Sequence, residues 1–278
     1  MEVERHETEQ AQWAVARRPP TPVLSPYLVA APEGWAKTRG QPTSLREVPF
    51  PGIPLILNLG APWEIVGPDG RRELRTSFVA GLHTAPSVVH AAPTWRCIEL
   101  RLTPLGAHRL LGVPMHELAN RTVELDDLLP RMDELATRLR ETPSWSERFD
   151  LVEALLVRGL GDSPAPPAAV AWSWQQLRRS GGRIPIRTIA SELGWSHRRL
   201  ISRFREHIGL TPKTAARVLR FDRAVAALRS TAPRPLAEIA FACGYFDQAH
   251  LNRDFRDLAG TTPTAFVDAA LESGGTAA

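Results

Sequence analysis

The chain has 278 residues, 43% hydrophobic and 23% charged, with a formal net charge of +4. At about 150 residues per domain this predicts two domains, and it excludes a disordered chain, which is apolar-poor and highly charged. Cys97 and Cys243 are too few for a disulfide framework or a cysteine-rich metal site. No apolar run nears the roughly 18 residues of a membrane helix, and residues 1–18 hold four Glu and no apolar signal core, so a cytoplasmic protein without membrane contact is expected.

Residues 19–55 are proline-rich with few helical periods. Pro54-Leu-Ile-Leu-Asn-Leu59 is a short apolar run and reads as a buried strand. Trp63-Glu-Ile-Val66 is a second strand, followed by the turn Pro68-Asp-Gly70. Ser77-Phe-Val-Ala80 is a third. In Arg96-Cys-Ile-Glu-Leu-Arg-Leu102, Cys97, Glu99 and Arg101 alternate with Ile98, Leu100 and Leu102, which places two different faces on one strand. Helical patterns then begin at residues 104–111, 132–140 and 144–159. The order of strands first and helices second predicts an α+β domain over residues 1–160.

Within that domain Trp35, Trp63 and Trp95 are candidates to line an apolar small-molecule pocket, against the plainer reading of core or rim residues. His83 and His90 lack a His-x-His pair or a nearby carboxylate, so no metal is assigned to them and no cofactor is expected. Cys97 reads as a small buried hydrophobe. Phe149, Val152, Leu155 and Leu156 form an apolar helix face that suits either burial within the chain or a dimer interface.

Gly159-Leu-Gly-Asp-Ser-Pro-Ala-Pro-Pro-Ala168 ends a helix and reads as a domain edge. Ser180-Gly-Gly182 is a second break, so residues 161–183 read as a linker holding one helix over 168–179. Beyond it the charge changes. From Gly181 onward Arg plus Lys number 14 against 9 Asp plus Glu, whereas residues 1–180 carry a net of −1. A basic C-terminal third points to an anionic partner, usually nucleic acid.

That third contains an internal repeat. Ile189-Ala-Ser-Glu-Leu-Gly194-Trp195 precedes Leu200 and Phe204; Ile239-Ala-Phe-Ala-Cys-Gly244-Tyr245 precedes Leu251 and Phe255. The glycines are 50 apart, the leucines and phenylalanines 51, so the second copy carries one extra residue after its turn. The copies close on Gly209-Leu-Thr-Pro212 and Gly260-Thr-Thr-Pro263. Each fits a helix, a glycine turn and a second helix capped by a short polar residue such as Ser196, the pattern of a helix-turn-helix. Cys243 matches Leu193 and so reads as core.

Opposite the buried Leu200–Phe204 stripe the first unit exposes Arg198 and Ser202, flanked by Arg199, Ile201 and Arg205. The second exposes Ala249 and Arg253, flanked by His250, Asn252 and Arg256. With the helix-start residues Ser196 and His197, and Asp247 and Gln248, these are the candidate DNA contacts. Arginine forks suit guanine and asparagine suits adenine, while other polar groups hold phosphates. Thr211-Pro-Lys-Thr through Arg229 reads as one long helix joining the units. It would space two recognition helices for major grooves about 34 Å apart.

Residues 184–266 resemble the C-terminal domain of AraC-type transcriptional regulators. The resemblance rests on Ile189-Ala, Leu193-Gly-Trp-Ser, Leu200-Ile-Ser-Arg-Phe, Gly209-Leu-Thr-Pro, and Ile239-Ala-x-x-Cys-Gly-Tyr-x-Asp-Gln-Ala-His-Leu-x-Arg-x-Phe with Gly260-Thr-Thr-Pro. It covers about 30% of the chain. It implies an all-α domain over 184–268 with seven helices, two helix-turn-helix units and site-specific binding to double-stranded promoter DNA. The first unit departs from the pattern by placing Ile201 where a polar residue is common. Leu102-Thr-Pro-Leu-Gly-Ala-His-Arg-Leu-Leu-Gly and Val123-Glu-Leu-Asp-Asp-Leu128 resemble the N-terminal domain of a broad bacterial subgroup. The family implies a cupin-like β-barrel that senses a small molecule, dimerises, or does both.

The expected function is a non-enzymatic, effector-controlled transcription regulator, with an unidentified small molecule, a second copy and RNA polymerase as further partners. The alternatives are a constitutive regulator whose N-terminal domain only dimerises, and an enzyme domain fused to a DNA-binding domain as in alkyl-transfer repair regulators. The last needs an activated cysteine, and Cys97 lacks a Pro-Cys-His setting.

Overall fold

A computed structural model describes residues 1–161, 164–230 and 234–272. Asp162 and Ser163, inside the segment read as a domain edge, lie outside the described residues. The strands are β1 (Glu2–Glu7), β2 (Gln12–Arg17), β3 (Glu33–Arg39), β4 (Thr43–Glu47), β5 (Ile53–Asn58), β6 (Trp63–Val66), β7 (Arg72–Arg75), β8 (Phe78–Ala80), β9 (Ser87–Ala91), β10 (Trp95–Leu102) and β11 (Thr122–Glu124). They form two antiparallel sheets, ordered β1-β2-β3-β10-β5-β8-β11 and β4-β9-β6-β7.

The alternation read in β10 has a structural consequence on each side. Ile98, Leu100 and Leu102 join Ile53, Leu55 and Leu57 of β5 in the main core, together with the helices. Cys97 turns the other way, pairs across the sheet with Trp35, and packs toward Trp63, Ile65 and Val89 of the smaller sheet. The two sheets therefore face one another, in the mixed α+β architecture expected from the strand-then-helix order.

The sequence pattern omitted several of these strands. β1 reads Glu-Val-Glu-Arg-His-Glu and is largely exposed, as befits a charged edge strand that resists pairing with other chains. β3 and β4 lie in the proline-rich stretch, where no element is predicted from sequence.

The helices are α1 (Pro104–Leu111), α2 (Met132–Glu141), α3 (Trp145–Gly161), α4 (Ala168–Arg179), α5 (Ile186–Glu192), α6 (His197–Ile208), α7 (Pro212–Leu228), α8 (Leu236–Cys243), α9 (Gln248–Ala259) and α10 (Pro263–Glu272). Thr103 caps α1 by accepting from the Gly106 amide at 3.1 Å. On α3, Phe149, Val152 and Leu156 are buried within the chain, with Leu155 packed against the same core. Burial in the monomer, not an open dimer face, accounts for that apolar set.

From residue 184 the described residues contain six helices; the seventh of the expected seven is α4, upstream of that boundary. Its Trp174 ring lies 6.3 Å from that of Phe204 on α6. The main core runs without a break from the large sheet through α1 and α3 to α4, α6 and the first half of α7. A second core, around Phe221, Ile239, Leu251 and Phe255, holds the rest of α7 with α8 and α9.

Candidate nucleic-acid interface and adjoining cavity

α5 and α6 form one helix-turn-helix and α8 and α9 the other, joined by α7. Gly194 and Gly244 take φ of +62° and +86°, the left-handed conformation that closes each turn. Ser196 caps α6, accepting from the Arg199 amide at 3.2 Å, and Asp247 caps α9, accepting from the His250 amide at 2.7 Å. Leu200, Phe204 and Ile208 are buried along α6, and Leu251, Phe255 and Leu258 along α9. Burial of those stripes turns the opposite faces outward.

Ser196, His197, Arg198, Arg199, Ser202 and Arg205 are exposed and Ile201 is half-buried. In the second unit Asp247, Gln248, Ala249, Arg253 and Arg256 are exposed, and His250 and Asn252 half-buried. Several of these groups already have local work. Arg199 stacks its guanidinium 4.7 Å from the Trp195 ring, and His250 meets the Tyr245 ring edge-on at 5.2 Å. Other cations of the basic third serve the fold. Arg203 pairs with Glu206, Arg217 with Asp254 and Asp257, and Arg220 donates to the Gly182 carbonyl. Arg198, Arg205, Arg253 and Arg256 enter no ion pair among the described residues, so their charge faces solvent.

A cavity of about 480 Å³ lies between the two sheets. Trp35, Trp63 and Trp95 all line it, with Trp63 and Trp95 edge-on at 5.5 Å. Trp35 donates to Glu33 and Trp95 to Thr43, which fixes both rings. The sequence pattern does not predict that Asp222 and Val225 of α7, with Arg229 at its C-terminal cap, line the same cavity. The helix that joins the two units thus forms part of its wall. His83 lines the cavity too, whereas His90 alternates along β9 with the cavity-facing Val89. Among the described residues no group of three His, Cys, Asp or Glu is placed to hold a metal. Burial pushes the Cys97 thiol well above its ordinary range, which opposes its use as a nucleophile.

Glu47 on β4 lines the cavity and makes no ion pair among the described residues. Burial raises its carboxyl from an ordinary 4.5 to about 7, with Glu99 adding to the rise and Arg101 and Arg229 opposing it. Below pH 4.5 the group is protonated in both folded and unfolded chains. Between 4.5 and 7 only the unfolded chain ionises, so stability falls as pH rises and levels off above 7. The loss is on the order of 3 kcal/mol. Glu47→Gln is expected to flatten this slope in denaturation midpoints taken at pH 5 and pH 7.5. An unchanged slope would assign the titration to another group.

The C-terminal helices also meet the sheet-bearing part away from the cavity. The His108 ring of α1 lies 4.4 Å from that of His207 on α6. Arg46 of β4 donates to the Ala259 carbonyl at the end of α9, at 3.3 Å.

A family described as a helix-turn-helix domain matches residues 189–269, and a domain of unknown function (DUF6597) matches residues 16–124. No curated protein matches the chain. Among solved structures, ToxT from Vibrio cholerae in its P21 form is similar at 9% identity, over 94% of this chain and 98% of that one, with a TM-score of 0.49. Unsaturated fatty acid bound ToxT from Vibrio cholerae strain SCE256 is similar at 11% identity over 94% and 96%, with a TM-score of 0.45. The DNA-binding domain of AdpA in complex with a target DNA is similar at 26% identity, over 39% of this chain and 94% of that one, with a TM-score of 0.33. No helix among the described residues is long and apolar enough to cross a membrane. With two helix-turn-helix units of matched geometry, the chain carries an AraC-type helix-turn-helix domain behind a DUF6597 domain.

Proposed function

We propose that the chain binds double-stranded promoter DNA through the exposed faces of α6 and α9, under the control of a small molecule held between its two sheets. One observation carries this reading: α7, which sets the spacing of the two units, also supplies Asp222, Val225 and Arg229 to the wall of the tryptophan-lined cavity. A ligand there touches the element on which the relative placement of α6 and α9 depends. Its differential contacts with α7 can therefore bias DNA affinity.

Selection from random double-stranded DNA with the full chain at physiological salt is expected to return a site of two blocks about one helical turn apart. Arg253→Ala should then weaken binding by about 1–3 kcal/mol and relax preference at one base pair of the second block. Unchanged preference would remove Arg253 from base reading. Effector control is tested by screening small molecules for thermal stabilisation and measuring DNA affinity with each stabiliser. Stabilisers that leave DNA affinity unchanged would favour a constitutive regulator.

A further inference from the structure

The second unit is longer than the first by one residue, and the structure shows where that residue goes. Ser196 caps α6 two positions after Gly194; Asp247 caps α9 three positions after Gly244. Trp195 and Tyr245 follow the two glycines and turn inward, Tyr245 to 3% exposure. The extra residue is Phe246. It is 91% exposed, more than any other large hydrophobic side chain among the described residues. Burial of so large an apolar ring is favourable, and the fold forgoes it.

Its position is the start of the second recognition helix. A helix of this kind enters the major groove with its N-terminal residues at the base edges. Gln248 and Ala249, immediately beyond the cap, and Arg253, one turn further, are exposed beside it. The Asp247 carboxylate is held in the cap by the His250 amide. A phenyl ring cannot hold a phosphate or a base amide. The apolar group that the major groove offers it is the C5 methyl of thymine. We propose that Phe246 packs on a thymine methyl at the outer edge of the site covered by α9, a contact the first unit has no residue to make. This rests on the DNA-binding face assigned to α9 above.

The test uses the full chain and its selected duplex. Each thymine under α9 is replaced in turn by deoxyuridine, which removes the methyl alone. One replacement is expected to weaken the native protein about three- to tenfold. Phe246→Ala should bind the thymine duplex as weakly and show no further loss with deoxyuridine. Because the side chain is exposed, its unfolding midpoint should stay at the native value. Phe241→Ala, which removes the other exposed ring of the unit at 82% exposure, should keep the deoxyuridine effect. The proposal fails if no replacement weakens the native protein, or if Phe246→Ala still distinguishes the two bases, which would pass the contact to Ala249. It also fails if Phe241→Ala loses the effect equally. Failure of the native chain to select any duplex is a separate result, and would overturn the DNA reading as well.

Discussion

Arg217→Met is expected to destabilise the chain by about 3 kcal/mol, through the loss of one partner of a largely buried ion pair. The Arg217 Nε lies 2.7 Å from Asp254, whose side chain is only 4% exposed, and the same guanidinium reaches Asp257. These contacts tie α7 to α9. Methionine fills much of the arginine stem's volume, so the loss isolates charge from packing. Asp254 would be left as a carboxylate without its cation, in a place where water cannot replace it. Arg217→Met combined with Asp254→Leu should recover much of the loss. Urea midpoints of the single and double variants check both points. A double variant no better than the single one would show that the damage lies in packing.

Gly182→Ala is expected to cost a similar amount for a different reason. Gly181 and Gly182 take φ of +58° and +74° in succession, where α4 ends. The Gly182 amide donates to the Leu177 carbonyl at 2.8 Å, and its own carbonyl accepts from Arg220 at 3.0 Å. A methyl at this position would collide with the Ala216 carbonyl oxygen in α7. Backbone strain alone costs roughly 1–2 kcal/mol. The clash with a backbone atom that cannot rotate away raises the total to on the order of 3 kcal/mol. Gly112 provides the control, with φ of +67° and open space for 4 Å around the place a methyl would take. Gly112→Ala should therefore show the strain without the clash. Equal losses in the two variants would mean that α4 can move away from α7 at little cost.

Both variants probe contacts that no local pattern announces, and that contrast runs through the molecule. The repeat, its glycine turns, the capping Ser196 and the stripes of α6 and α9 were legible because each depends on residues within about one helical turn. The exposed faces of Arg198 and Arg253 follow from the same periodicity. Ser180-Gly-Gly182 could be read as a break, but its approach to Ala216 could not, since the two segments are far apart in the chain. In β10 the two faces were legible from the alternation. Which face would meet the helices and which the cavity was not, because Cys97, Glu99 and Arg101 acquire their surroundings from elements distant in the chain, among them β3, β6, β9 and α7. β1 escaped notice because a charged edge strand has no apolar rhythm to detect.

Phe246 stands between these cases. The sequence alone marks it as the unmatched residue of the second unit, but its exposure is a property of the folded turn. By itself the sequence determined what hydrogen bonding and side-chain periodicity settle over a few residues: the helices, the turns, the strand faces and the doubled DNA-binding unit. The tertiary structure decided which distant elements share a wall. Trp35, Trp63 and Trp95 meet Asp222 and Arg229 around one cavity because sheet register and helix packing bring them together across nearly two hundred residues, and those are long-range choices made by burial of the whole core.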